Sequence, residues 1–177
     1  TTHRRENLDA MKEIGGALQD LAKAYPDVIF ALPLHLNPKV RDQVLPEVEN
    51  LPNVIVSDPL PYDQFTALMN RSYLVLTDSG GVQEEAPSLG KPVLVMRDNT
   101  ERPEAVVAGT VKLVGTNREL IVAETTNLLD QEAAYKSMAN AVNPYGDGKA
   151  ASRAVGAIAA LTGVGERTAE FDPQLSV

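Results

Sequence analysis

The chain has no cysteine, no tryptophan and only 3 phenylalanines, and it is short of base: 16 Lys and Arg against 24 Asp and Glu, a net charge of −8 over 177 residues. Each shortage excludes something. Without cysteine there is no disulfide, no thiolate nucleophile and no zinc–cysteine site, a composition that fits the cytosol. The 2 histidines, His3 and His35, lie too far apart in sequence to suggest a metal site, so none is expected. The acidic balance argues against a broad nucleic-acid or anionic-membrane surface, which needs clustered Lys and Arg. A small phosphate ligand stays possible, because backbone N–H groups hold one without cationic side chains. No apolar run approaches the ~20 residues of a membrane-spanning helix.

What is present is globular: 44% apolar and 23% charged residues, in a length that suits one domain. Short continuous apolar runs at Val28–Leu32, Val54–Val56, Tyr73–Thr77, Val93–Met96 and Val111–Val114 predict parallel strands. Between them, Leu8, Met11, Ile14, Leu18, Leu21 and Tyr25 recur at helical spacing. Further helices are predicted near 38–50, 63–70, 81–89, 102–108, 117–141 and 148–161. Strand–helix alternation implies an α/β fold, a Rossmann-like parallel sheet with helices on both faces. The domain is expected over 1–162, with a loose tail over 163–177. The chain enters a helix almost at once after TTHRREN, so a first, central strand and a partner domain are expected upstream of it.

The most informative stretch is TDSGGVQEEAPSLGKPVLVMRDNTERPE, Thr77–Glu104. An apolar strand delivers the chain to Ser79, a residue of N-cap type. Gly80 and Gly81 follow, and their missing Cβ atoms allow a ligand to approach the backbone. Orphan N–H groups and the positive end of the helix dipole favour a phosphate there. One turn later, Glu84 and Glu85 are placed to accept from sugar hydroxyls, as acidic side chains do at other nucleotide sites. Loops at the C-terminal ends of parallel strands share a rim, which brings Arg102 towards the same crevice as a bidentate phosphate donor. Neither a Walker motif nor G-x-G-x-x-G is present. The residues alone fit equally a tight Gly-Gly turn with helix-favouring acids behind it.

TTHRREN, HLNP, LTDSGGVQEEAPSLGKPVLVMRDNTERPEAV, AGT and NPYGDGKA together resemble the non-hydrolysing UDP-N-acetylglucosamine 2-epimerases. The resemblance runs from residue 1 to about 161 and matches only the C-terminal half of that family. It implies the C-terminal nucleotide-binding domain of a two-domain glycosyltransferase-B fold. It also implies the interconversion of UDP-N-acetylglucosamine and UDP-N-acetylmannosamine by elimination and re-addition of UDP, with no cofactor. By the same resemblance, Ser79, Gly80 and Gly81 hold the diphosphate, Glu85 the ribose, and Arg102 contributes to that site. Phe65 and Leu60 line the uracil pocket; the family often has a polar residue where Leu60 stands, so only its backbone is offered to the base. His3 matches an active-site histidine, and Arg4 and His35 match positions of a second, activating UDP-sugar site. The expected partners are UDP-N-acetylglucosamine, UDP, the missing N-terminal domain and a second copy in a homodimer, with neither nucleic acid nor membrane. A UDP-sugar glycosyltransferase, a hydrolysing epimerase and a non-catalytic UDP-binding module remain as alternatives.

One prediction follows from the helix face. Glu85→Ala is expected to weaken UDP binding by about 1.5–3 kcal/mol, the scale of hydrogen bonds to a charged group, and Glu84→Ala by much less. Titration calorimetry of both variants checks it, and equal losses would mean that the helix face is misplaced.

Overall fold

A computed structural model describes residues 1–172. The described residues form two compact units, Thr1–Ala141 and a second from Val142 onward. In the first unit the five predicted strands are present: β1 (Phe30–Pro33), β2 (Val54–Ser57), β3 (Val75–Thr77), β4 (Val93–Val95) and β5 (Val111–Leu113). They alternate with α1 (Met11–Ala24), α2 (Pro38–Val48), α3 (Tyr62–Arg71), α4 (Gly80–Ser88), α5 (Pro103–Ala108), α6 (Arg118–Asp130) and α7 (Glu132–Ala139). A 3₁₀ helix, Arg5–Ala10, leads into α1.

All strand pairs are parallel, as continuous apolar runs require when helices cover a sheet. The strands form two ladders, β1–β2 and β3–β4–β5, rather than one. Between them lies a cavity of about 430 Å³ lined by Phe30 and Leu32 of β1, Leu74 and Leu76 at β3, and Phe65 and Met69 of α3. Along its margin the chain start runs beside β3: the Thr1 nitrogen donates to Leu76 O at 2.7 Å, and Asp78 N donates to Thr1 O at 3.3 Å. Burial differs accordingly. Val93, Leu94 and Val95 of β4, flanked on both edges, are fully buried, whereas Ile55 of β2 is 56% exposed.

Two predicted boundaries shift. The helix expected over 117–141 breaks at Gln131, whose backbone is extended (φ −112°, ψ 97°). No Gly or Pro marks the break. Tertiary packing makes it: Ile121, Thr125 and Leu128 of α6 are buried, while the redirected α7 stacks Tyr135 on Tyr73 with ring centroids 4.0 Å apart. The helix expected from Leu8 starts as 3₁₀ because Asn7 is tethered, its Nδ2 donating to Met96 O at 2.8 Å. Gly90 has φ 67°, which lets Lys91 N donate back to Ala86 O at 3.1 Å and ends α4.

In the second unit, α8 (Ala150–Leu161) forms where expected. The segment after it, expected to be loose, doubles back: Arg153 Nε donates to Ala169 O at 2.9 Å, and its guanidinium lies over the Phe171 ring. The rest of that predicted tail, 173–177, lies outside the described residues. No helix among the described residues is long and apolar enough to cross a membrane.

Helix α1 packs closely on α2 and α6 through two adjacent glycines. A Cβ on Gly15 would lie 3.3 Å from Val44 Cα, whereas the nearest atoms to one on Gly16 belong to the Arg118 guanidinium, at 2.6 Å, the far end of a side chain rather than backbone. Gly15→Leu is therefore expected to destabilise the fold by about 1–3 kcal/mol by forcing the helices apart. Gly16→Ala should stay within about 1 kcal/mol, because lost Arg118–Asp20 pairing is offset by alanine's helix propensity. Urea midpoints of the two variants check the difference; similar losses would count against the packing argument.

Candidate functional site: an amide corner under two guanidiniums

The corner forms where β3 runs into α4. Ser79 occupies the N-cap position with extended backbone (φ −81°, ψ 133°), but its hydroxyl makes no capping bond. This departs from the expected Ser cap. By contrast, Asn37 and Asn117 cap α2 and α6, accepting from Lys39 N at 3.0 Å and Leu120 N at 2.9 Å. The first turn of α4 thus keeps its positive end without a side-chain acceptor.

Two cations lean over it. A Cβ on Gly80 would stand 3.2 Å from Arg4 Nη2 and 3.3 Å from Arg102 Cζ. Only glycine leaves both guanidiniums that close to the helix start. Arg4 Nε is buried with no hydrogen-bond partner, an uncommon state for a charged donor that an incoming anion would relieve. Arg102 is braced by carboxylates, its Nε donating to Glu84 Oε1 at 2.6 Å and its Nη1 standing 3.5 Å from Glu101. Glu84, expected to be the idle member of the glutamate pair, therefore orients Arg102. Its side chain reaches across to the Arg97–Arg102 loop. Glu85 lies on the glycine side, with Oε1 3.9 Å from the Cβ position of Gly81.

A lattice of polar groups, from fully buried Gln83 to exposed Glu101, holds these parts in place. Gln83, fully buried, donates to Ser79 O at 3.1 Å and accepts from Thr100 Oγ1 at 2.6 Å, and Thr100 Oγ1 accepts from Arg102 N at 3.1 Å. Arg97 forms a bidentate pair with Glu101 at 2.8 and 2.9 Å and reaches Glu6 at 2.8 Å. Hydrogen bonding to Arg97 holds the exposed Glu101 carboxyl down at about 2.

Asp78 was not singled out in the sequence, where an Asp at a strand end reads as turn chemistry. It is fully buried and accepts from Thr2 Oγ1 (2.9 Å), His3 N (3.0 Å), Arg4 N (2.9 Å) and Asn7 Nδ2 (3.2 Å). One carboxylate thereby ties the first residues to the corner. His3 Nδ1 lies 3.6 Å from the same carboxylate. Burial pushes the His3 imidazole below its ordinary value of 6.5; Asp78 opposes this, and His35 and Arg4 add to it.

A cavity of about 200 Å³ opens beside the corner, and His3, His35, Leu60, Phe65 and Ser79 all line it. Gly80, Gly81, Glu85, Arg4 and Arg102 adjoin through the contacts given above. The structure thus gathers every residue singled out in the sequence into one neighbourhood, with the two histidines stacked at 5.3 Å between centroids. Phe65 lines this cavity although its helical spacing on α3 alone would make it core, and Leu60, just before α3, lines it too.

Asp78→Ala would strand four donors at once. Each buried donor left unpaired costs roughly 1–3 kcal/mol, so the variant is expected to lose at least about 3 kcal/mol of stability. Chemical denaturation of the intact protein measures this, and a loss below about 1 kcal/mol would contradict the hub.

Comparison with known proteins shows the family. The family model for UDP-N-acetylglucosamine 2-epimerase matches residues 1–159. The chain is 55% identical over 159 residues to UDP-N-acetylglucosamine 2-epimerase of Escherichia coli (strain K12), covering 89% of this chain and 42% of that protein. Among solved structures, the Neisseria meningitidis UDP-GlcNAc 2-epimerase bound to UDP-GlcNAc superposes with a TM-score of 0.84 at 50% identity, over 89% of this chain and 43% of that one. An S. aureus MnaA–UDP structure gives a TM-score of 0.90 at 42% identity, over 97% and 47%. The chain thus spans less than half the length of the relatives it matches. On its uncapped glycine corner, its converging arginines and these matches, the chain belongs to the UDP-N-acetylglucosamine 2-epimerase family.

Proposed function

We propose that the chain is the UDP-holding half of an enzyme that interconverts UDP-N-acetylglucosamine and UDP-N-acetylmannosamine. The observation that carries this is the pair of guanidiniums, Arg4 and Arg102, over the uncapped helix start at Gly80. Such a corner suits a diphosphate better than any neutral group. The relatives crystallised with UDP-GlcNAc and with UDP support the same ligand class.

In this reading Ser79, Gly80 and Gly81 present backbone N–H groups to the diphosphate, Glu85 takes the ribose hydroxyls, and Phe65 and Leu60 face the uracil. The reaction begins when a base removes the C2 proton and the C1–O bond breaks, releasing UDP and leaving a 2-acetamidoglucal. Negative charge then grows on the diphosphate, where Arg4, Arg102 and the helix dipole oppose it. UDP adds back at C1 as a proton returns to the other face of C2. His3 stands beside the leaving group as a neutral imidazole able to donate a hydrogen bond.

The groups that move the C2 proton are assigned to a second domain preceding this chain. Two features support that assignment. The cavity at the corner, about 200 Å³, is smaller than the roughly 300–1,000 Å³ of pockets that enclose a whole ligand, as expected for a cleft closed from the other side. The apolar slot between β1 and β3 has the place and lining for one further parallel strand leading into Thr1. A homodimer and a cytoplasmic location, where nucleotide sugars are drawn upon, complete the proposal.

The intact protein, incubated with UDP-N-acetylglucosamine in D₂O, is expected to produce UDP-N-acetylmannosamine carrying deuterium at C2, followed by NMR. These 177 residues alone should bind UDP without turnover. Arg102→Ala should weaken UDP binding by about 1.5–3 kcal/mol, or ~10–150-fold. Transfer of the sugar to an acceptor, release of free N-acetylmannosamine, or absence of UDP binding would each overturn the proposal.

A further inference from the structure

The two histidines meet face to face although they come from different segments. Their ring centroids are 5.3 Å apart and their planes 14° from parallel. His3 belongs to the segment tied down by Asp78, and His35 to the loop between β1 and α2. The geometry points to His35 as a positioning residue for His3, its ring covering one face of that imidazole and fixing both its orientation and its electrostatic surroundings.

The support under His35 is rigid. Its Nδ1 accepts from Asn37 N at 3.1 Å, which leaves the proton of the neutral ring on Nε2. Asn37 in turn caps α2 by accepting from Lys39 N at 3.0 Å. Arg41 clamps the same loop, its Nε donating to His35 O and its Nη2 to Leu34 O, both at 3.3 Å, while it pairs with Asp58. On the other side, His3 has its backbone N–H on Asp78 and its Nδ1 3.6 Å from that carboxylate. The imidazole therefore lies between a carboxylate and an aromatic face, with 40% of its side-chain surface still exposed.

The charged groups around His3 act in opposite senses. Asp78 favours its protonation, whereas burial, His35 and Arg4 disfavour it, and burial is the largest of these. A flat ring at 5.3 Å contributes to two of them, by excluding water from one face and by opposing a second positive charge nearby. Arg4 approaches the same corner at Gly80, so an unprotonated His3 adds no further cation there.

Removing the ring should return His3 towards its ordinary behaviour. In the intact protein, the His3 imidazole signal is assigned by its loss in His3→Gln and titrated by NMR. With His35→Ala its midpoint is expected to rise by roughly half a pH unit, and His35→Phe, which keeps the covering ring, should recover most of the difference. The kinetic corollary rests on the epimerase reading: the acid limb of kcat/KM should move up by the same amount in His35→Ala. An unmoved His3 midpoint in His35→Ala would overturn the inference. So would equal shifts in the Ala and Phe variants, which would assign the effect to the lost Asn37 contact instead of the ring. The titration needs no turnover, so failure of the epimerase reading leaves it intact.

Discussion

The Asp78 carboxylate is the contact on which the site depends. It is fully buried, and its acceptors are matched by four donors from the chain's first residues, Thr2, His3, Arg4 and Asn7. A buried carboxylate is costly unless its charged form is hydrogen-bonded, and here backbone N–H groups, a hydroxyl and an amide supply the bonds without a formal cation among them. With the Thr1–Leu76 and Asn7–Met96 hydrogen bonds, this anchor holds His3 and Arg4 near the start of α4. The strand end thus contributes twice, through Ser79–Gly81 as a corner and through Asp78 as the tether for what faces it.

Charge at the corner is arranged locally, against the sign of the chain as a whole. The net charge is −8, yet Arg4, Arg97 and Arg102 gather within one loop cluster. Carboxylates hold two of them: Glu101 and Glu6 on Arg97, Glu84 on Arg102. Bracing a guanidinium in advance lowers the entropic cost of ordering it when an anion arrives. Arg4 Nε, like Arg97 Nε, is buried without a hydrogen-bond partner. A buried donor without a partner is uncommon, and an incoming anion would relieve it.

Much of this was visible in the residues. Continuous apolar runs marked all five strands, because parallel strands need no alternation when covered on both faces. The Gly80–Gly81 pair after a strand marked the start of α4, and the rule that strand-end loops share a rim placed Arg102 beside it. The break at Gln131 was invisible, since no helix-breaking residue stands there and the kink answers to the Tyr135–Tyr73 stack. The roles of Glu84 and Asp78 were equally hidden. Both residue types are ordinary at a helix start or strand end, and their partners lie far away in sequence.

By itself the sequence determined the class of fold, the alternation of elements and the chemistry of the corner, because periodicity, glycine placement and residue type are local properties. Only the tertiary structure decided which groups meet there. The His3–His35 stack, the two guanidiniums on Gly80 and the Asp78 tether join segments tens of residues apart, and such contacts are set by the packing of the sheet and its helices. A linear pattern does not encode them, because the same side chains at the same spacing would serve a differently ordered sheet.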